Sequence, residues 1–298
     1  GEGRMVRPFR AITAVAILLV VIVGSGCQTQ GGGEVPSSLD IPLEAPSVTP
    51  VAYAPQQPVA RAKSALVVDA TTGRELYAVN ADAPRYPASL TKLMTLYILF
   101  DEIEARKLSL NTPLPVSAEA ASQPPGRIGV KTGTTITVQQ SIQALAVKSA
   151  NDVSVVVAEA ISGSEEAFAV RMTEQARTLG LSGTRFVNAS GLPGAANVTT
   201  ARDMAKLARL MKQRFPQYGA YFRAQTFTYN GQTFKATNNL LGTVPGVDGM
   251  KTGYIRASGF NLVATASRGR RKLIVVVIGG ASKQARDAEV TELIEAYF

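Results

Sequence analysis

Ser89 and Lys92 form a Ser-x-x-Lys motif in a chain of 298 residues that contains no histidine. A serine nucleophile needs a base that accepts its proton, and without histidine that base is a carboxylate, a lysine or the N-terminal amine. The largely apolar residues 93–100 predict a helix with Ser89 in its first turn. Residues three apart share a helix face, so the two side chains can reach each other. The free N–H groups at the N-terminus of a helix support a developing oxyanion and disfavour the charged form of a nearby lysine. The motif therefore predicts a serine–lysine pair at a helix start.

A Ser-x-x-Lys match alone is weak evidence, because about one is expected by chance in a chain of this length. Two further motifs follow it in order along the chain. Residues 149–151 read Ser-Ala-Asn, and residues 251–253 read Lys-Thr-Gly. The ordered set of three motifs raises the first match well above chance.

Each residue type in these two motifs has a chemical use. Ser149 can pass a proton between the lysine base and a leaving nitrogen, and the Asn151 amide can hold a substrate carbonyl. Lys251 keeps the site positive, which lowers the pKa of the first lysine and attracts an anionic substrate. Thr252 can donate a hydrogen bond to a carboxylate, and Gly253 lets a substrate backbone approach a strand closely. The set predicts acyl transfer on an anionic peptide.

Two decoy matches have to be set aside. Residues 109–111 also read Ser-x-Asn, but Ser109 lies just past the predicted first helix, in a stretch that leads to two prolines. Residues 131–133 also read Lys-Thr-Gly, but they precede Ser149 and so break the motif order. The second decoy is interpreted as a turn before the alternating residues 135–138.

The three chosen motifs resemble those of the low-molecular-mass penicillin-binding proteins, specifically the serine D-alanyl-D-alanine carboxypeptidases. The resemblance covers roughly residues 63–298, and motif order, spacing and flanking sequence all agree with the family. The segments that fit are residues 87–95, 149–152, 188–192, 248–254, 258–264 and 279–280.

The resemblance implies a catalytic role for four residues. Ser89 would be the nucleophile that forms an acyl-enzyme, and Lys92 would be the general base for acylation. Ser149 and Lys251 would complete the proton-transfer network.

The resemblance also implies a substrate-binding set. Asn151 would bind the substrate backbone, and the backbone N–H groups of Ser89 and Tyr254 would form the oxyanion hole. Arg286 follows a Gly-Gly pair at the family spacing and would hold the terminal carboxylate, whereas the alternative is a solvated arginine on a C-terminal helix. Tyr254 stands where relatives often carry histidine, which leaves only its backbone N–H with an expected role.

The N-terminal segment has the pattern of an export signal. Residues 11–23 are small or apolar except for Thr13, follow three arginines, and are too short to span a bilayer comfortably. Small residues 24–26 lead to Cys27, the only cysteine, so residues 1–27 are interpreted as a lipoprotein leader. The alternative is an ordinary signal peptide with Cys27 incidental. Either reading places the mature protein outside the cytoplasmic membrane, in the periplasm or cell envelope.

Residues 28–62 are rich in glycine and proline and show no apolar periodicity. Such a segment is expected to remain disordered and extended, as a tether between a lipid anchor and the catalytic domain. The domain itself is assigned to residues 63–298.

The remaining pattern predicts an α+β fold. Two hairpins are expected, one at residues 65–79 and one at residues 260–278, with the Ser89 helix and four further helices between them and a closing helix at residues 283–297. The four further helices are expected at residues 139–148, 150–161, 164–179 and 200–213. The resemblance makes this a β-lactamase/transpeptidase-like fold: an antiparallel sheet with helices on both faces and a helical lobe, with the catalytic cleft between sheet and lobe.

Composition limits the partners. The net charge is +9, yet no basic stripe interleaved with aromatic residues indicates nucleic-acid binding. Four basic residues at 268 and 270–272 suggest either a solvated hairpin tip or a contact with anionic lipid or wall polymers. No metal or other cofactor is expected, because zinc sites use histidine and cysteine and the pair Glu165-Glu166 lacks calcium-loop spacing.

The expected function is hydrolysis of the terminal D-Ala-D-Ala bond of peptidoglycan stem peptides, with β-lactams as inhibitors that acylate Ser89. Three alternatives remain open. One is an endopeptidase that cuts cross-links by the same mechanism. A β-lactamase of the same fold is disfavoured because residues 188–196 contain no acid. The last is a non-catalytic protein that binds wall peptides.

Overall fold

A computed structural model describes residues 62–193 and 197–298. The predicted leader, Cys27 and nearly all of the predicted linker lie outside the described residues. No helix in the described ranges combines the length and the apolar character that crossing a membrane requires.

The described chain contains nine strands and eight α-helices, named here in chain order. The strands are β1 (Ser64–Asp69), β2 (Glu75–Val79), β3 (Pro113–Pro115), β4 (Thr135–Thr137), β5 (Thr226–Tyr229), β6 (Gln232–Lys235), β7 (Val247–Ile255), β8 (Gly259–Arg268) and β9 (Arg271–Gly280). The helices are α1 (Lys92–Glu104), α2 (Ala118–Ala121), α3 (Val138–Gln143), α4 (Asn151–Ser162), α5 (Glu165–Thr178), α6 (Ala201–Arg214), α7 (Gly219–Arg223) and α8 (Lys283–Tyr297).

A five-stranded antiparallel sheet joins the two ends of the domain. Its order is β2-β1-β9-β8-β7, so the N-terminal hairpin pairs with the C-terminal one through β1 and β9. The register places Ser64 opposite Ile278 and Asp69 opposite Leu273. Both predicted hairpins and the closing helix are confirmed.

Alternation along the strands gives the sheet two buried faces. On β9, Ile274, Val276 and Ile278 pack into the main core, whereas Val275 and Val277 pack into a second cluster that includes residues of α8. Full burial of one such side chain contributes about 1.5–3 kcal/mol. The predicted arrangement of helices on both faces is confirmed.

The helical lobe is built around α1, whose residues 92–100 are all buried. A helix that is apolar on all sides has to be central in the fold. Side-chain hydroxyls at the helix starts accept hydrogen bonds from free backbone N–H groups: Ser164 caps α5, Thr200 caps α6 and Ser282 caps α8. These caps place the helices close to the predicted boundaries.

Two predicted helices differ in detail, and the hairpin β5–β6 is among the elements that were not predicted. The helix expected at residues 139–148 is α-helical only to Gln143 and continues as a π turn to Lys148. Ser89 lies in a 3₁₀ turn, Ala88–Thr91, whose first residue has a positive φ of 48°, and α1 begins only at Lys92. The hairpin β5–β6 turns at Asn230-Gly231, where φ is 47° and 79°. Asn-Gly between alternating segments is a strong hairpin signal that could have identified it.

Candidate active site

Lys92 and Ser89 make direct contact at the start of the central helix. Lys92 Nζ lies 2.8 Å from Ser89 Oγ and donates to Asn151 Oδ1 and the Ser190 carbonyl oxygen, both also at 2.8 Å. The lysine is fully buried. Burial, and then the charge of Lys251, lower its pKa well below the usual value, although Asp152 opposes this. The surroundings therefore favour a neutral amine next to the serine hydroxyl.

Ser149 approaches the same place from the helical lobe. After α3 the chain continues in a π turn, Ala144–Lys148, which ends at Ser149 with φ 61° and ψ 47°. Such a left-handed conformation is costly for a residue other than glycine. Its Oγ is buried and has no hydrogen-bond partner among the described residues. A strained residue with an unpartnered hydroxyl is typical of a functional site.

Asn151 begins α4 and is held from two sides. Its backbone N–H donates to the Gly126 carbonyl at 2.7 Å, and its Nδ2 donates to the Pro125 carbonyl at 3.2 Å. The neighbouring Asp152 carboxylate accepts the backbone N–H groups of residues 128–130 at 2.9 to 3.2 Å. Asp152 thus fixes the loop that positions Asn151, a role that sequence reasoning did not assign to it.

Strand β7 forms the opposite wall. Lys251 is 1% exposed, and its Nζ donates to the Thr252 carbonyl oxygen at 2.9 Å. Burial and the charge of Arg286 lower the pKa of Lys251 to about 7. Thr252 Oγ1 donates to Thr237 Oγ1 at 2.7 Å. A Cβ on Gly253 would lie 3.0 Å from the Ser89 backbone nitrogen, so only glycine lets the strand pass this close.

Arg286 reaches the site from α8. Its side chain is 3% exposed, and its Nη1 donates to the Asn261 carbonyl oxygen at 3.3 Å. Nη2 lies 2.9 Å from Asp287 Oδ1 but makes no hydrogen bond among the described residues. Nη2 is therefore a buried donor without an acceptor in the described ranges, on a residue that lines the cavity, which is typical of a functional site.

Tyr254 is the exposed member of the set. It is 52% exposed, and its ring stacks on Phe260 with 4.2 Å between centroids. Tyr254 and Phe260 both line the cavity, so this exposed stack forms part of its wall.

The structure brings all the predicted site residues of the described ranges together, in a cavity of about 480 Å³. Lys92 and Lys251 lie buried next to it. The predicted residues that line it are Ser89, Ser149, Asn151, Thr252, Gly253, Tyr254 and Arg286. The decoys do not line it: Ser109 makes exposed hydrogen bonds with Thr112, and Lys131 lies in an exposed turn.

Sequence reasoning did not single out two backbone contributions at the site. The Ser190 carbonyl accepts from Lys92, and Gly191 packs on the backbone of residues 88–89. Both lie in the segment 188–192, which was recognised only as part of the resemblance. The glycine at position 191 was the available signal, but neither its φ of 88° nor its contact partner can be read from the sequence.

Known proteins resemble this chain throughout the described domain. A family model described as D-alanyl-D-alanine carboxypeptidase (peptidase S11) matches residues 51–282. The D-alanyl-D-alanine carboxypeptidase DacF of Bacillus subtilis (strain 168) is 36% identical over 247 residues, which are 80% of this chain and 62% of the relative. The chain spans less than two thirds of the length of the curated carboxypeptidases that it matches.

Solved structures agree with the family match. Penicillin binding protein 6B from Escherichia coli is 34% identical with a TM-score of 0.74, over 82% of this chain and 79% of that one. Penicillin-Binding Protein D2 from Listeria monocytogenes, solved in its ampicillin-bound form, is 31% identical with a TM-score of 0.68, over 79% and 96%. These matches confirm the fold class and the resemblance inferred from the motifs, and the chain belongs to the D-alanyl-D-alanine carboxypeptidase family.

Proposed function

We propose that this protein is a serine carboxypeptidase that removes the terminal D-alanine from peptidoglycan stem peptides ending in D-Ala-D-Ala. The contact of Lys92 Nζ with Ser89 Oγ at 2.8 Å carries the proposal. A fully buried amine whose pKa is lowered well below its usual value is the base that a histidine-free serine enzyme needs.

Acylation begins when Ser89 Oγ attacks the carbonyl carbon of the penultimate D-alanine and neutral Lys92 takes the hydroxyl proton. The backbone N–H groups of Ser89 and Tyr254 stabilise the oxyanion. The C–N bond then breaks, and a proton passes through Ser149 to the nitrogen of the leaving D-alanine. Lys251, with a pKa of about 7, carries positive charge in only part of the molecules at neutral pH.

Deacylation repeats the same proton transfers with water. Water attacks the ester carbonyl carbon, Lys92 accepts the water proton, and the ester C–O bond breaks as Ser89 Oγ regains a proton. The products are the shortened peptide and free Ser89. During acylation, Asn151 holds the substrate amide, while Thr252 and Arg286 bind the terminal carboxylate, which departs with the leaving D-alanine.

β-Lactams are expected to acylate Ser89 because their strained amide resembles the scissile bond. Rapid release is not expected. Class A β-lactamases use a glutamate to activate the deacylating water. Among the described residues that line the cavity there is no aspartate or glutamate. The arrangement therefore favours a long-lived penicilloyl-enzyme over a β-lactamase.

The direct test is release of D-alanine from a peptide ending in Lys-D-Ala-D-Ala, by residues 63–298 and by a Ser89→Ala variant. Release by the native protein alone is expected, with activity in the variant reduced by about 10³-fold or more. Release by both would disprove the role of Ser89. Folded protein that releases nothing but cleaves a cross-linked dimer of stem peptides would be an endopeptidase instead.

The proposed location is the cell envelope, with residues 1–27 as a leader, Cys27 as the lipid-modified residue and residues 28–62 as a tether. The sequence pattern around the single cysteine supports this. Labelled palmitate is expected to enter the native full-length protein but not a Cys27→Ser variant, which should leave the membrane fraction. Equal labelling of both would contradict lipidation at Cys27.

A further inference from the structure

All the charged side chains in the described lining of the catalytic cavity are basic. Its described lining includes Lys148, Lys235, Lys283 and Arg286 but no carboxylate. A concave surface with charges of one sign concentrates ligands of the opposite sign. One terminal carboxylate accounts for Arg286 in the proposed function, which leaves the lysines without a role.

Two of these lysines belong to one corner of the cavity. Lys148 immediately precedes Ser149, and its Nζ lies 5.8 Å from the centre of the Phe234 ring. Lys235 ends β6, one residue after that phenylalanine, and lines the same cavity as Lys148. The two chain segments are joined where the Thr237 backbone N–H donates to the Val147 carbonyl oxygen at 3.1 Å. Lys283, in contrast, lies on α8 beside Arg286.

Neither corner lysine is neutralised in the described part of the chain. Some lysines outside the cavity pair with acids, as Lys63 does with Glu289 at 3.1 Å and Lys212 with Asp248 at 3.0 Å, although Lys131 and Lys206 have no ion pair within the described ranges. Lys148 and Lys235 have no ion pair in residues 62–193 and 197–298. Two unpaired cations in a site without acids are suited to bind an anion of the substrate.

The proposed mechanism places this corner on the leaving-group side. Ser149, the neighbour of Lys148, protonates the leaving nitrogen. Thr237, two residues after Lys235, bonds to Thr252, which binds the terminal carboxylate. An anion at Lys148 and Lys235 would therefore belong to the residue that leaves, not to the part that acylates Ser89.

We propose that Lys148 and Lys235 form a second anion subsite that binds an additional carboxylate on the leaving group. The preferred leaving group is then a D-amino dicarboxylic acid, either free or as the first residue of a longer, cross-linked peptide. This inference rests on the proposed function, because the proposed mechanism defines the leaving-group side.

A pair of isosteric substrates tests the subsite: peptides ending in Lys-D-Ala-D-Glu and Lys-D-Ala-D-Gln, which differ only in one side-chain charge. The native protein is expected to favour the D-Glu peptide in kcat/KM by about tenfold, mainly through KM, which corresponds to about 1.4 kcal/mol. In a Lys148→Met/Lys235→Met double variant the ratio should fall to near one. Higher ionic strength should also reduce it in the native protein.

The matched control removes the same charge elsewhere. Lys131 and Lys206 are exposed and do not line the cavity, so a Lys131→Met/Lys206→Met variant should keep the native ratio. A native ratio near one, a ratio that survives in the cavity double variant, or an equal loss in the control would each overturn the subsite.

Failure of the proposed function has a separate signature, which is no release of D-alanine from Lys-D-Ala-D-Ala by the native protein. The subsite is then judged by calorimetric binding of both peptides to the Ser89→Ala variant. Tighter binding of the D-Glu peptide, lost when Lys148 and Lys235 are also replaced, would support it. Equal binding would overturn it.

Discussion

A Lys92→Met variant is expected to lose acylation by penicillin by about 10³-fold or more while it still folds. Methionine fills most of the space of the buried lysine but cannot accept the Ser89 proton, and no histidine is present to replace it. The variant leaves the acceptors Asn151 Oδ1 and the Ser190 carbonyl without their donor, but it also removes the cost of burying an amine. We expect the free energy of unfolding to change by less than about 2 kcal/mol.

Stopped-flow acylation with a fluorescent penicillin measures the rate, and urea unfolding measures the stability. A Lys206→Met variant, which loses an exposed lysine, is the control and should acylate at the native rate. Native acylation should increase as pH rises through the lowered pKa of Lys92, because only the neutral amine accepts a proton. This pH-dependent increase should be absent in Lys92→Met. A variant that keeps both the native acylation rate and the increase with pH would rule out Lys92 as the base.

A Gly191→Ala variant is expected to reduce acylation by about 10²-fold, although the residue carries no catalytic group. Gly191 has a φ of 88°, and a Cβ there would overlap the Ala88 carbonyl group and come within 3.0 Å of the Ser89 nitrogen. The neighbouring atoms are backbone, so they cannot move aside without shifting Ser89. Its N–H group and hydroxyl would then leave the positions that acylation requires.

A Gly133→Ala control separates the displacement of Ser89 from the loss of stability that alanine causes at a positive φ. Gly133 has a φ of 81°, but a Cβ there meets no atom within 4 Å. Both variants should lose about 1–2 kcal/mol of stability from the left-handed conformation, while only Gly191→Ala should lose acylation. Equal acylation rates in the two variants would show that the contact with residues 88–89 does not position the nucleophile.

Much of the fold was predictable because its signals are local. Two apolar segments joined by a basic turn predicted the hairpin β8–β9 within residues 260–278, and the hydroxyl at residue 200 marks a helix start. The 3₁₀ turn at Ser89 was not predictable, because Ala88 adopts its positive φ under contacts from other parts of the chain. Gly191 packs directly on that turn.

The catalytic side chains were predictable for a different reason. Three short motifs have a recognisable order, and the absence of histidine left lysine as the natural base. The supporting residues had no such signal. Asp152 was visible only as a neighbour of Asn151, yet its carboxylate accepts three N–H groups of a loop more than twenty residues earlier in the chain. The backbone N–H groups that the Asp152 carboxylate accepts are determined by how distant segments of the chain pack together.

The sequence by itself determined which residues can carry the chemistry, because nucleophile, base and carboxylate-binding groups are properties of side chains and their local spacing. Only the tertiary structure decided how they act. It buries Lys92 and Lys251, which lowers both pKa values, and it brings Lys148 and Lys235 into the lining of one cavity. Desolvation and distances between charges arise from segments that are far apart in the chain, so they exist only once those segments have packed together.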